Sequence, residues 1–373
     1  MPSRSSRGSV PGMNSDILII GGGIAGVSAA ARLSHLGRVV LIEAETALAH
    51  HASGRSAALF EPFYGLPPIV ALSLAAEPYF LDAKGVLSPR GVMLIARAEE
   101  RAAFERDVED MEMERLSVKD AKARVPILNP ETVAFTASAE HARDIDTDLL
   151  LQGFAREARA NGATIVTGAR VTSIARNGAL WRVSTPLGDY AAATLINAAG
   201  AWADQVAVMA GVRPLGLTPL RRSMARIPAP GGHDMRRWPM MFGVGESWYA
   251  KPDAGALLVS PAEEHPMEPH DAWADDMVLA EGIARYEAVV TEPVTRLITS
   301  WAGLRTFAPD RVLVIGRDPQ QPDFFWLAGQ GGYGFQTSPA ASQLAADLIG
   351  GRTPQLDAST VKALDPTRFA RTL

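Results

Sequence analysis

The sequence predicts an α/β protein of two units: a discontinuous Rossmann-like domain and a second domain inserted into it. Three observations predict this. Near the start, the apolar run Ile17–Ile20 enters Gly21-Gly-Gly-Ile-Ala-Gly26, continues as a small-residue helix, and returns as the apolar run Val39–Ile42, which ends on Glu43. Near the end, the apolar run Phe324–Ala328 enters Gly329-Gln-Gly-Gly-Tyr-Gly334 and a second small-residue helix. Between them, residues 213–300 change character, with many prolines, Trp238, Trp248 and Trp273, and separate strand-like pieces. Two glycine-rich helix starts at opposite ends of one chain call for a sheet that the chain leaves and later rejoins.

The bulk numbers set limits. The chain has 373 residues, of which 47% are apolar, ample for sizeable cores and contrary to disorder. A net charge of -5 argues against a nucleic-acid partner. The absence of cysteine excludes a disulfide framework, thiolate metal sites, cysteine catalysis and a cysteine-linked cofactor. Residues 1–13, rich in Ser, Arg, Gly and Pro, are expected to be a disordered tail and not a signal peptide. No transmembrane helix is indicated. The expected location is the cytoplasm, free or at the periphery of the inner membrane. Nothing in the sequence speaks to oligomeric state.

Each element has a local reason. Gly21 allows the tight turn, Gly23 lets a pyrophosphate approach the helix N-terminus, and Gly26 lets helix and strand pack closely. Glu43 would accept hydrogen bonds from a ribose and disfavours a 2′-phosphate. The first helix is expected over 24–36. The polar loop His50–Ala58 suits a backbone beside a cofactor, with Ser53 as a helix cap. Residues 60–68 carry Phe60, Pro62, Phe63, Tyr64, Gly65, Pro67 and Pro68, and read as an irregular lid. A helix kinked at Pro78 is expected over 69–85, a strand over 92–96, charged solvated helix over 98–123, and a strand over 132–136. Asp144-Ile-Asp-Thr-Asp148 opens a helix to Asn161, capped by Asp146 or Thr147. Short strands follow at 164–167, 171–175, 181–184 and 190–192. Leu195–Trp202 then ends a strand on Asn197 and small residues, a second close approach to the dinucleotide. Strands at 220–227 and 256–260 and a helix at 276–290 belong to the inserted domain. The chain returns with strands at 311–316 and 324–328 and a helix at 335–349, stopped by Gly350. The dinucleotide domain is therefore expected over 14–60, 144–212 and 301–373, and the inserted one over 61–143 and 213–300.

From about residue 14 the chain resembles the D-amino-acid oxidase superfamily of FAD enzymes, which includes glycine oxidase, sarcosine oxidase and the bacterial D-amino-acid dehydrogenases. Several stretches look especially like its D-arginine dehydrogenase branch. The stretches that carry the resemblance are Gly54-Arg-Ser-Ala-Ala58, Asp144-Ile-Asp-Thr-Asp148, Asn197-Ala-Ala-Gly-Ala-Trp202, Gly211-Val-Arg-Pro-Leu-Gly216, Arg221-Arg-Ser223, Tyr249-Ala-Lys-Pro-Asp-Ala-Gly255, Trp301-Ala-Gly-Leu-Arg305 and Gln330-Gly-Gly-Tyr-Gly334. The resemblance implies a non-covalent FAD stretched along the dinucleotide domain, its isoalloxazine facing the mixed sheet. It places that cofactor against Gly21, Gly23, Ile24, Ala25, Gly26 and Glu43, then Ser53, Gly54, Arg55, Ser56 and Ala57. Val171, Ala199, Gly200, Trp202 and Gly303 follow, and Gly331, Gly332, Tyr333, Gly334, Gln336 and Thr337 complete the set. The implied reaction is oxidative deamination of a D-amino acid, hydride passing from the α-carbon to flavin N5 and the imino acid hydrolysing to a keto acid and ammonia.

A substrate carboxylate calls for a guanidinium fork, and Arg222 and Arg305 match the family's carboxylate-binding arginines; an interdomain salt bridge is the alternative. Arg221, on the other face of a strand, is left out. Tyr249 and Tyr64 match aromatic residues that contact substrate, the latter from the lid, with a core role as the alternative. Gly332 and Gln336 would touch the substrate amine or the flavin. The chain departs from the branch where a glutamate pairs with the substrate guanidinium: Val92 stands there. Leu59 replaces a histidine and Glu61 a threonine. An apolar D-amino acid is therefore expected over a basic one, with Glu61 a solvated lid residue; the alternative makes Glu61 a partner for basic side chains. No general base, metal site or electron acceptor is identifiable. Two other readings stay open: a secondary-amine oxidase of glycine or sarcosine type, and a flavin subunit of an opine-type dehydrogenase complex. An NAD-linked dehydrogenase would leave Gly329–Gly334 unexplained.

Overall fold

The computed structural model describes residues 13–370. The expected disordered tail lies outside those residues except for Met13, which opens the first strand, Met13–Ile20. Among the described residues no helix is long and apolar enough to cross a membrane.

Among the described residues, the first sheet has eight strands. Ser173–Asn177, Leu180–Thr185, Gly188–Asn197, Met13–Ile20, Val39–Ile42 and Thr164–Val166 lie side by side in that order, and Phe324–Ala328 joins the distal half of Gly188–Asn197 with Val314–Arg317 beside it. Met13–Ile20 pairs parallel with both its neighbours, so both faces of the strand are covered. Ile17 and Ile19 enter one core, under the helices Ile24–Leu33, Thr147–Ala160 and Gly334–Ile349. Leu18 and Ile20 enter the other, with Trp181, Phe324 and Trp326. The small residues of Ile24–Leu33 have a steric reason: a Cβ on Gly26 would lie 1.9 Å from the Gly21 carbonyl oxygen. That helix ends at Leu33, where Ser34 turns its hydroxyl onto the Ala31 carbonyl. Asp146 caps Thr147–Ala160 through the Leu149 N–H.

The second sheet has nine strands, running His265–Pro266, Thr218–Pro228, Ala256–Ser260, Tyr249–Asp253, Met240–Gly243, Val92–Ala96, Phe135–Ala139 and Glu114–Leu116, with Thr299–Phe307 paired along Thr218–Pro228. That last pairing moves a boundary. The sequence divides the two domains between residues 300 and 301, but Thr299–Phe307 belongs to the second sheet over its whole length, from Thr218↔Phe307 to Arg226↔Thr299. The antiparallel ladder satisfies backbone groups that Thr218–Pro228 would otherwise leave bare. The charged stretch 98–123 is not one helix. Arg101–Asp110 stops near Glu112, which has φ 49°, and Glu114–Leu116 becomes an edge strand before Val118–Arg124 resumes as helix. A small third sheet, Leu59–Phe60, Arg143–Ile145 and Leu87–Pro89, anchors the start of the lid.

Candidate active site

A trough runs from Glu43 to Arg305 through three connected cavities. The first, about 250 Å³, is lined by Gly21, Gly23, Glu43, Val171, Ala199, Gly200, Trp202 and Gly303. The second, about 130 Å³, shares Gly23, Ser53 and Arg55 with the first and adds Ile24, Ala25, Gly331 and Gly334. The third, about 890 Å³, shares Ser56, Ala57, Tyr249, Arg305 and Gly332 with the second. This continuity is what an extended dinucleotide requires. At Gly23 an added Cβ would meet only the Ser53 hydroxyl, 3.2 Å away, so the backbone there borders open space. Ser53 accepts from the Ile24 N–H at 3.0 Å. Glu43 is already oriented at the rim by the Gly22 and Glu45 N–H groups. Among the described residues no side chain caps Gly334–Ile349, so its leading N–H groups remain for a ligand with partial negative charge. The residues present fit FAD along this path.

At the inner end, the strand register builds the floor. Arg222 stands opposite Gly303 and Arg305 opposite Leu220, two residues from Arg222. Both arginines therefore project from the same face of the sheet. Arg221 projects from the other, toward Glu263, Asp275 and His265. The Arg222 guanidinium lies 5.9 Å from the centre of the Tyr249 ring, and Gly332 lies against Arg305, where a Cβ would come within 3.1 Å of Nη1.

These groups converge on a residue the sequence analysis missed. Glu246 Oε1 lies 3.2 Å from Arg222 Nη1 and 3.7 Å from Arg305 Nη1, and its Oε2 accepts a 2.6 Å hydrogen bond from the Tyr64 hydroxyl. Glu246 has φ 57° and follows Gly245, with φ 58°, in a turn held by Asp107 on the Gly245 N–H. Burial works against ionisation of Glu246, but Arg305, Arg222 and the Tyr64 hydroxyl together hold its carboxyl below the usual range. Burial and the Glu246 charge push the Tyr64 phenol well above its ordinary value, so it stays a donor. A carboxylate of the chain thus sits where a substrate carboxylate is expected. Substituting Glu246→Gln is expected to tighten binding of amino-acid carboxylates about tenfold, roughly 1.4 kcal/mol, by weakening that competitor. Titration of the flavin spectrum with a non-oxidised carboxylate measures this; weaker binding would make Glu246 an aid to the ligand.

The cavity above the floor is walled by Leu59, Val92, Met240, Phe242 and Phe335, with Glu61 and Gln336 among them. Glu61 is not solvated. It is 2% exposed, because the lid folds inward and its backbone N–H donates to Gln336 Oε1 at 3.2 Å. Its Oε1 accepts from His141 Nε2 at 2.7 Å and from the Phe63 N–H, while Oε2 is buried without a partner. Gln336 engages both ends of its amide, accepting from Glu61 and donating to Ser73, and so fixes the lid to the helix Pro67–Asp82. The hydrogen bond to Glu61 holds the His141 imidazole above its ordinary pKa, against the opposing effect of burial. Its stabilising contribution is therefore complete below the unfolded value of about 6.5 and is lost as pH rises through the higher folded value. The melting temperature should fall across that window, and a His141→Asn variant should lack that part of the slope.

Other expected cofactor residues stand one layer back. Gly26 and Gly54 make backbone contacts, a Cβ on Gly54 falling 2.2 Å from the Ala49 carbonyl oxygen. The Tyr333 ring packs between Tyr64 and Phe307, and Thr337 bonds back to the Tyr333 carbonyl inside its helix. Arg55 borders the trough but directs its guanidinium to Ala272 O, Ala302 O and Asp271. Among the described residues, Glu45, His50 and His51 bring metal-ligand atoms within 4.8 Å of one another. Arg170 and Asp271 pair with this group, on the wall of the first cavity. Glu246 and His141 carry no local motif; a glutamate in a glycine turn three residues before Tyr249 was the available sign for the first.

The DAO family model, described as FAD dependent oxidoreductase, matches residues 16–348. FAD-dependent oxidoreductase domain-containing protein 1 of Bos taurus is 24% identical over 91% of this chain and 82% of its own length. The crystal structure of glycine oxidase from Geobacillus kaustophilus is similar with TM-score 0.81 at 22% identity, covering 95% of this chain and 99% of that one. That of L-proline dehydrogenase from P. horikoshii gives 0.82 at 22% identity, covering 96% and 99%.

Proposed function

The chain belongs to the DAO family of FAD-dependent oxidoreductases, and on that premise we propose that it oxidatively deaminates a D-amino acid. Bound FAD supplies the two-electron acceptor for the hydride that leaves the α-carbon. Arg305 and Arg222 grip the substrate carboxylate from adjacent strands, which fixes the α-carbon relative to the trough. Tyr249, beside Arg222, orients the amine end, and Tyr64 closes the lid over it and excludes water. The carboxylate-binding step displaces Glu246 from the guanidiniums. The amino acid loses two electrons and two protons to become the imino acid, and water converts this to the keto acid and ammonia.

The convergence of Arg222, Arg305 and Tyr64 on one carboxylate position carries the reading. The D configuration rests on the resemblance of the Arg222, Tyr249 and Arg305 stretches to D-arginine dehydrogenases, because the fold alone is shared with an L-proline dehydrogenase. The apolar wall of Leu59, Val92 and Phe242 supports a side chain with an aliphatic or aromatic stem. The expected preference for wholly apolar side chains assumed a solvated Glu61, which the burial of that residue removes. A second reading, a glycine- or sarcosine-type secondary-amine oxidase, is favoured by the likeness to glycine oxidase.

The test is anaerobic bleaching of the flavin by a panel of D- and L-amino acids and N-methylglycine, followed by admission of air. Fastest bleaching by D-amino acids supports the proposal; fastest bleaching by N-methylglycine supports the second reading. Bleaching by none of them, with amine oxidation restored only by a partner protein, would place the chain in a complex of opine-dehydrogenase type. The admission of air separates oxygen from other acceptors.

A further inference from the structure

Among the described residues, Glu61 is the one wall residue of the third cavity with a buried side-chain polar atom that no hydrogen bond satisfies. It is 2% exposed, one carboxylate oxygen is shared by His141 and the Phe63 N–H, and the other is buried with no hydrogen-bond partner among the described residues. A buried carboxylate oxygen left without a donor costs free energy, which a ligand carrying that donor recovers. The residue borders the same cavity as Arg305, and the wall of that cavity includes the apolar Leu59 and Val92. The mouth adds Asp107, Asp110 and Glu112. Against these acids, His141 is the basic group facing Glu61, while the arginines of the floor are engaged by Glu246. The cavity is thus built for a molecule with a carboxylate at one end, an apolar stem and a hydrogen-bond donor at the other.

Resting on the amino-acid reading above, we propose that Glu61 determines side-chain specificity by accepting a hydrogen bond from a terminal ammonium or guanidinium group of the substrate. The stem lies along Leu59 and Val92, and the terminal donor completes the coordination of Glu61. His141 is a positioning residue, holding the carboxylate rotamer through Oε1 so that Oε2 is free for the substrate. Gln336 does the same for the backbone of Glu61. The arrangement would reject an isosteric apolar chain more strongly than a shape-only pocket could, because that chain leaves the carboxylate unpaired.

The matched pair D-lysine and D-norleucine isolates the effect, since they differ at the terminal amine. Anaerobic flavin reduction by the FAD-loaded protein is expected to favour D-lysine in kred/Kd on the order of 10- to 100-fold. In a flavin-loaded Glu61→Gln variant that preference should collapse, the ratio of kred/Kd for D-lysine to that for D-norleucine falling toward one. Wild-type protein that reduces both equally, or favours D-norleucine, overturns the proposal without any variant. So does a Glu61→Gln variant that slows both substrates by the same factor, which is the mark of a purely structural role. Reduction by other amines but by no amino acid overturns the underlying amino-acid reading as well, and so is distinct from failure of the Glu61 assignment alone.

Discussion

Replacing Arg305 by leucine is expected to lower kcat/KM for the amino-acid substrate about a thousandfold, roughly 4 kcal/mol of transition-state binding. Arg305 sits on a strand paired throughout with its neighbour, against Gly332, and beside the trough. A leucine there fills similar space but offers no donors, so the substrate carboxylate would be buried against Arg222 alone. Glu246 would lose a partner at the same time, and with it part of the hold on Tyr64. Arg305→Lys should recover only part of the loss, since an ammonium keeps the charge without the planar fork. Steady-state kinetics on flavin-normalised protein reads the effect. A decrease of less than tenfold in the leucine variant would show that the carboxylate is not held here.

Gly26→Ala is expected to yield protein that lacks flavin and is destabilised by about 3 kcal/mol or more. The added methyl group would sit 1.9 Å from the Gly21 carbonyl oxygen and 3.4 Å from the Ala198 Cβ. The first of these is backbone at the end of a fully paired strand, so neither the strand nor the helix can yield without opening the turn between them. Gly23→Ala provides the contrast. Its methyl meets only the Ser53 hydroxyl at 3.2 Å, so the fold should survive and the change should appear in flavin affinity. Thermal melting and the ratio of flavin to protein distinguish the two variants. A Gly26→Ala protein with full flavin and an unchanged melting temperature would contradict this account.

The parts legible in the sequence were those whose cause is local. Gly21, Gly23 and Gly26 announce a turn and a close helix, and Phe324–Ala328 followed by Gly329–Gly334 announces another, because each pattern lies within one short stretch. Arg222 and Arg305 were accessible through resemblance, as arginines alone do not reveal which ones face a cavity. Strand register, which aligns residue 305 with residue 220, has no signature in the separate strands. Glu61 was misjudged for a related reason. A glutamate in a proline-rich loop reads as solvated, and its burial depends on His141 and Gln336, distant in the chain. Glu246 was invisible because its meaning lies in the two arginines it touches.

The ladder between Thr218–Pro228 and Thr299–Phe307 has one more consequence. Thr299–Phe307 is a strand of the second sheet whose Gly303 also lines the first cavity of the trough, beside Gly21 and Gly200 in the turns that follow strands of the first sheet. Melting the second sheet would take Gly303 from the wall of that cavity, and melting the first would take the glycines that face it. The molecule should therefore lose heat-absorbing structure in a single calorimetric transition, with equal calorimetric and van't Hoff enthalpies, rather than as two independently unfolding bodies.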